Sequence, residues 1–182
     1  MKKFNGYWII LCLWFVCQYS SGQKHMKFMG IDIDGNVEQF CANLLKLNRF
    51  TREKANIPNA YCFIGKFYDE EASIRVEYDS DTKNVHSVAV DIVKDMFIEV
   101  YPIQRDILKA IEDKYTFKKE VINEKLYQYD YYIFDDIHPI GLIQTYIVDS
   151  DFIPSAKGAL LNITYIDVDN ILKHENRKRK DI

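Results

Sequence analysis

The chain has 182 residues, 24 bases against 27 acids, and 48% hydrophobic residues. That is the length of one ordinary domain, with enough apolar material for a packed core, which excludes wholesale disorder. A net charge of −3 excludes a general nucleic-acid binder, which needs a basic face.

Residues 1–22 read as a removable secretory signal. Lys2 and Lys3 form a positive start, Tyr7 to Cys17 a short apolar core, and Ser20-Ser21-Gly22 the small residues a signal peptidase accepts, with cleavage before Gln23. The core is too short for a membrane span, which needs roughly 20 apolar residues, and no later segment reaches that length. Cys12 and Cys17 follow bulky neighbours and read as apolar positions, not lipid anchors. Removing the signal takes away two bases and no acid, so the mature charge is −5.

The mature chain reads as a helix and three strands, twice over. Asn36 fits a helix N-cap with Gln39 as its capping-box partner, and Val37, Phe40, Cys41, Leu44 and Leu45 form one buried stripe. Asn48 suits a left-handed stop. Strand patterns follow over 61–68, 73–78 and 85–93, joined by short polar turns that demand antiparallel hairpins. Pro102 fits a first helical position, and Ile103, Ile107, Leu108, Ala110, Ile111 and Tyr115 mark an amphipathic second helix. Strand patterns return over 126–134, 141–148 and 159–166. The predicted fold is therefore α+β: two helix-plus-three-strand halves, mainly antiparallel sheet with helices packed on it. The predicted division is a signal peptide over 1–22, one α+β domain over 23–170, and a polar basic tail over 171–182. A last helical stretch over 170–178 runs into the solvated basic run Arg177-Lys178-Arg179-Lys180.

The ends of the mature chain carry a resemblance. His25-Met26-Lys27-Phe28-Met29-Gly30-Ile31-Asp32-Ile33-Asp34-Gly35 resembles the H-x-K-F-M-G-I-P-I-x-G-T opening of a family of small secreted proteins from Bacteroides and relatives. Ile163-Thr164-Tyr165-Ile166-Asp167-Val168-Asp169-Asn170 is similar to that family's I-x-Y-x-D-x-x-N closing strand. Ile64-Gly65-Lys66-Phe67 and Lys114-Tyr115 fit its middle pattern. Asp32 replaces the usual Pro, and Asn36 the usual Thr. The resemblance implies export and fold, and no particular activity.

Phe28 to Asn36 also resembles the D-x-D-G-T motif of haloacid dehalogenase-like phosphatases. There the first carboxylate attacks phosphorus and the second handles the leaving-group proton beside magnesium, so Asp32 and Asp34 would take those roles, with Asp135-Asp136 as the metal-holding pair. That fold needs a parallel sheet with crossover helices, which the hairpin spacing opposes. A calcium loop fails because Gly30 and Cys41 fall at its first and twelfth ligand positions. The acidic pairs Asp149/Asp151 and Asp167/Asp169 read as turn and cap residues. His25, His86, His138 and His174 lack metal-ligand spacing, and His25 and His174 read as solvent-exposed.

Tyr127, Tyr129 and Tyr131 alternate along one strand and share a face. They are candidate binding residues for a sugar or peptide, although strand-favoured tyrosines on a half-buried face are the commoner explanation of the pattern. Export makes a Cys41–Cys62 disulfide chemically accessible; two separate buried thiols fit as well. Asn162-Ile163-Thr164 is a glycan acceptor triplet inside a predicted strand, which counts against its use. The expectation is an exported, periplasmic or secreted, non-enzymatic binding module for an envelope or extracellular ligand, without cofactor or metal. The opposing reading is the metal-dependent phosphatase.

Overall fold

A computed structural model of the chain describes residues 25–54, 57–149 and 158–179. The signal, its cysteines and the cleavage position lie outside the described residues, as does Asp151.

The chain opens with a small hairpin, β1 (Lys27–Phe28) and β2 (Ile31–Asp32), turned at Met29 and Gly30 with φ of 49° and 85°. Two successive left-handed residues make the tight turn whose twist suits a hairpin. Helix α1 (Val37–Lys46) follows. Asn36 caps it by accepting from the Glu38 amide at 2.9 Å, but Gln39 closes no box and donates instead to Asn43. Val37, Phe40, Cys41 and Leu44 are buried, whereas Leu45 lies at the edge of the stripe, 37% exposed.

Four strands come next: β3 (Phe50–Glu53), β4 (Ala60–Phe67), β5 (Glu70–Tyr78) and β6 (Val85–Lys94). Helix α2 (Phe97–Lys114) leads into β7 (Thr116–Asn123), a 3-10 turn (Glu124–Leu126), β8 (Gln128–Asp135), β9 (His138–Asp149) and β10 (Ala159–Asp167). Helix α3 (Val168–Lys178) closes the fold. Pro102 sits in the second turn of α2, not at its start, because the helix begins at Phe97 with Glu99 accepting from the Met96 amide.

The strands form one eight-stranded antiparallel sheet in the order β3-β4-β5-β6-β10-β9-β8-β7. This corrects the predicted architecture. The described residues are 51% strand and 29% helix, a mostly β fold and not a balanced α+β one. Each half holds four strands after its helix, and the fourth strands, β6 and β10, pair to fuse the halves. The overlooked strands are β3 and β7, the two sheet edges. Their Thr-Arg-Glu and Lys-Lys-Glu runs disguise strand pattern because an edge carries charge to resist further pairing.

Period two sorts the sheet's faces. Phe63, Ile74, Val90, Ile163 and Tyr131 join the core beneath the helices. On the opposite face one register row crosses all eight strands: Glu53, Cys62, Arg75, Ala89, Thr164, Gln144, Asp130 and Glu120. Polar partners lace that face, with Gln144 donating to Asp130 and Asn162 to Asp91. Among the described residues no helix is long and apolar enough to cross a membrane.

Candidate functional site

The opening and closing motifs meet. Asp167 ends β10, is fully buried and caps α3: Oδ1 accepts from the Asn170 amide and Oδ2 from the Met26 amide, both at 2.9 Å. His25 Nδ1 lies 3.1 Å from the same Oδ2. The Asn170 side-chain amide donates to the Ile33 carbonyl and to Asp34 Oδ1, each at 3.0 Å. Burial pushes the Asp167 carboxyl up against the lowering effect of those amides. For Asp34, burial also raises, but the Asn170 and Gly35 hydrogen bonds outweigh it and the carboxyl ends up lowered. His25 is thus held in a clasp of the two chain ends. Gly141 leaves the space Met26 fills, since a Cβ there would sit 2.6 Å from its sulfur.

This placement bears on the carboxylate pair. Asp32 is exposed on the opening hairpin, 3.4 Å from the Lys27 ammonium. Asp34 belongs to the clasp. Neither ends a parallel strand, and every strand pair in the sheet is antiparallel, so the topology required by the phosphatase reading is missing among the described residues. Nor do any three His, Cys, Asp or Glu among the described residues gather closely enough to hold a metal ion.

The tyrosines divide. Tyr131 is fully buried and its hydroxyl donates to Glu112 of α2 at 2.9 Å. Tyr129 is half-buried on the same face, under the Lys119 ammonium at 4.6 Å. Tyr127 closes the 3-10 turn with φ 47° and packs its ring 5.1 Å from both Phe97 and Tyr101. All three face α2, toward the core side. Cys41 and Cys62 are free thiols. Cys41 faces the core from α1, and Cys62 lies beside Arg75 on the helix-free face. Burial pushes the Cys41 thiol up to about 12 and raises Cys62 as well, so neither is a ready thiolate.

A cleft of about 280 Å³ opens where the β5–β6 turn meets α3, walled by Asn59, Glu77, Asp79, His86, His174 and Arg177. Asp79 organises it. Its Oδ1 accepts from the Asp81 and Thr82 amides at 3.0 and 2.8 Å, a carboxylate closing its own turn. His174 Nδ1 lies 2.9 Å from its Oδ2, and the His174 ring stacks on His86 at 4.7 Å. Burial would raise the Asp79 carboxyl, but the Thr82 amide, His174 and the Asp81 amide together hold it far below the usual carboxylate range. Glu77 behaves alike: burial raises it, while hydrogen bonds from Ser87 at 2.7 Å and Arg75 at 2.7 Å lower it further. Arg177 Nη1 is 3.2 Å from Asp79 Oδ1 as an ion pair, yet it is buried without a hydrogen-bond partner, alone in this among the described side chains.

The cleft was not legible from spacing. His174 and Asp79 are 95 residues apart. His174 read as exposed, but its side chain keeps only 13% of its surface. Arg177 read as part of a solvated tail, whereas α3 continues the packed fold beyond residue 170. The one local signal was the Asp79-Ser80-Asp81-Thr82 turn. Comparison with known proteins finds no matching family model, no similar curated protein and no matching solved structure.

Proposed function

We propose that the chain is exported and acts as a non-enzymatic binding module, with the Asp79–His174–Arg177 cleft as its ligand seat. Export rests on the Lys2/Lys3 start, the short apolar core and the small residues before Gln23. One observation carries the binding reading: a cleft of about 280 Å³ in which the Asp79 carboxylate holds both His174 and the Arg177 guanidinium in place, so that its polar lining is preorganised. Such a cavity with a few convergent polar groups is the usual form of a small-ligand site. The lining combines acceptors, Glu77 and Asp81, with donors, Asn59, Ser80 and Arg177, so it suits a small ligand with both hydroxyls and acceptors.

The chemistry around the cleft favours binding over turnover. Ser87 is 3% exposed, and its hydroxyl lies between Glu77 at 2.7 Å and His86 Nδ1 at 3.1 Å, so it is shielded from a substrate in the cleft. His174 is oriented by Asp79, but its stacking on His86 supplies no nucleophile to activate.

The test is a thermal-shift screen of the purified chain against monosaccharides, disaccharides and amino acids, followed by calorimetry on any class that raises the melting temperature. Arg177→Met should abolish the shift without unfolding the protein. A ligand that binds Arg177→Met as tightly as wild type, or no stabilising class at all, refutes the assignment of the cleft.

A further inference from the structure

A second, smaller cavity lies away from the cleft, between the opening hairpin, the β4–β5 turn and the last turns of α2. It measures about 80 Å³ and is walled by Met29, Phe67, Tyr68, Ile111, Tyr115 and Tyr165, with Lys27 and Lys114 beside them. A water's share of liquid is about 30 Å³, so the space admits a short chain or a single ring.

Tyr165 marks this cavity as more than a packing gap. It is 6% exposed and lines the cavity, and while the neighbouring Tyr115 hydroxyl donates to the Lys27 carbonyl, the Tyr165 hydroxyl is not engaged by another described residue. Buried phenols normally find a partner. Its ring is fixed edge-on against Phe28 at 5.3 Å, and Phe28 stacks on Phe67 at 5.7 Å, so the ring that lines the cavity is held in place. Two of the other walls come from costly backbone. Met29 and Tyr68 both hold left-handed φ, 49° and 50°, at the tips of turns that aim their side chains here.

The charges choose the ligand. An aromatic cage alone would suit a cation, but two ammonium groups flank this one. Lys27 is shared with Asp32 at 3.4 Å, whereas Lys114 lies over the Tyr115 ring at 4.9 Å and forms no ion pair among the described residues. We propose that this pocket binds a small apolar carboxylate, its hydrocarbon part against Phe67, Ile111 and Met29 and its carboxylate accepting from Tyr165 and Lys114. The carboxylate belongs to a free short-chain or aromatic acid, or to the end of a peptide with an apolar last residue.

The experiment titrates the purified chain with benzoate, butyrate, methyl benzoate and benzyltrimethylammonium, following aromatic and methyl resonances by NMR. Benzoate or butyrate should saturate below about 10 mM, while the neutral ester and the cation should not. Tyr165→Phe and Lys114→Met should each weaken the acid about tenfold, the size expected for losing one charge-assisted hydrogen bond. Arg177→Met, in the separate cleft, should leave it unchanged. Peptides ending in phenylalanine, with a free or amidated terminus, separate the sources. Saturation by the free-ended peptide alone assigns a chain end, and saturation by benzoate or butyrate assigns a free acid. Equal binding of ester and acid, preference for the cation, wild-type affinity in both variants, or no saturation by any carboxylate overturns the proposal.

Discussion

Asp167 ties the opening segment of the described fold to its closing helix. Asp167→Ala removes the α3 cap and strands the buried Met26 and Asn170 amides, which Asp167 satisfies at 2.9 Å each. Loss of a cap costs about 1 kcal/mol, and a buried amide without an acceptor about 1–3 kcal/mol. The expected loss is therefore about 2–4 kcal/mol. In a domain of this size each kilocalorie lowers the melting temperature by roughly 2–4 °C, so a fall of roughly 5–15 °C is expected. Asp167→Asn keeps one acceptor but sets an NH2 against an amide donor, so its cost should lie between wild type and the alanine variant. Asp169→Ala, two residues on and exposed, should stay within about 0.5 kcal/mol. Urea denaturation at pH 7, with thermal unfolding alongside, reads all three. If Asp167→Ala unfolds at the wild-type midpoint, the chain ends are not clasped.

Other tests address the core, the cleft and processing. Phe40→Ala should cost about 3–5 kcal/mol because Phe40 is 2% exposed, whereas exposed Lys46→Ala should cost at most about 0.5 kcal/mol; matching denaturation midpoints would place Phe40 outside the core. Asp79 has a folded pKa below its unfolded one, so its contribution is present above about pH 4 and lost as pH falls through the folded value. Stability curves of wild type and Asp79→Asn should accordingly converge on acidification, and a constant gap down to about pH 2 would contradict the network around that carboxylate. The exported protein should have an intact mass that begins at Gln23, and a mass that keeps Met1 or carries lipid on Cys17 would reverse the signal reading.

How far the sequence speaks depends on how local each feature is. The buried face of α1 was readable because Val37, Phe40, Cys41 and Leu44 follow one period within three turns. The hairpin pairing of β4, β5 and β6 was readable from short polar turns. The edge strands were not, since β7 exposes seven of its eight residues and offers no apolar alternation. Tyr127, Tyr129 and Tyr131 show the limit of period two. It puts Tyr129 and Tyr131 on one face correctly, but it does not say that α2 covers that face, and the 3-10 turn takes Tyr127 out of the strand. His174, Asp79 and Arg177 meet only through the return of α3 onto the β5–β6 turn, a contact with no local signature.

Both proposed sites follow from the way the halves join. The cleft sets a turn of the first half against α3, the end of the chain. The smaller pocket sets the opening hairpin and the β4–β5 turn of the first half against α2 of the second. Neither half alone builds either site. The halves are held together by β6 against β10 and by the His25–Asp167–Asn170 clasp, so each site's geometry depends on that junction. A ligand that binds only the joined form stabilises the junction by mass action, in proportion to the logarithm of its concentration over its dissociation constant. Loosening the clasp should weaken both sites together, although no clasp residue lines the smaller pocket. Asn170, which borders the narrow continuation of the cleft behind Asp79, joins the two structurally. In this architecture the conspicuous opening and closing motifs serve as the fastening, and both proposed sites are lined by side chains with no motif around them.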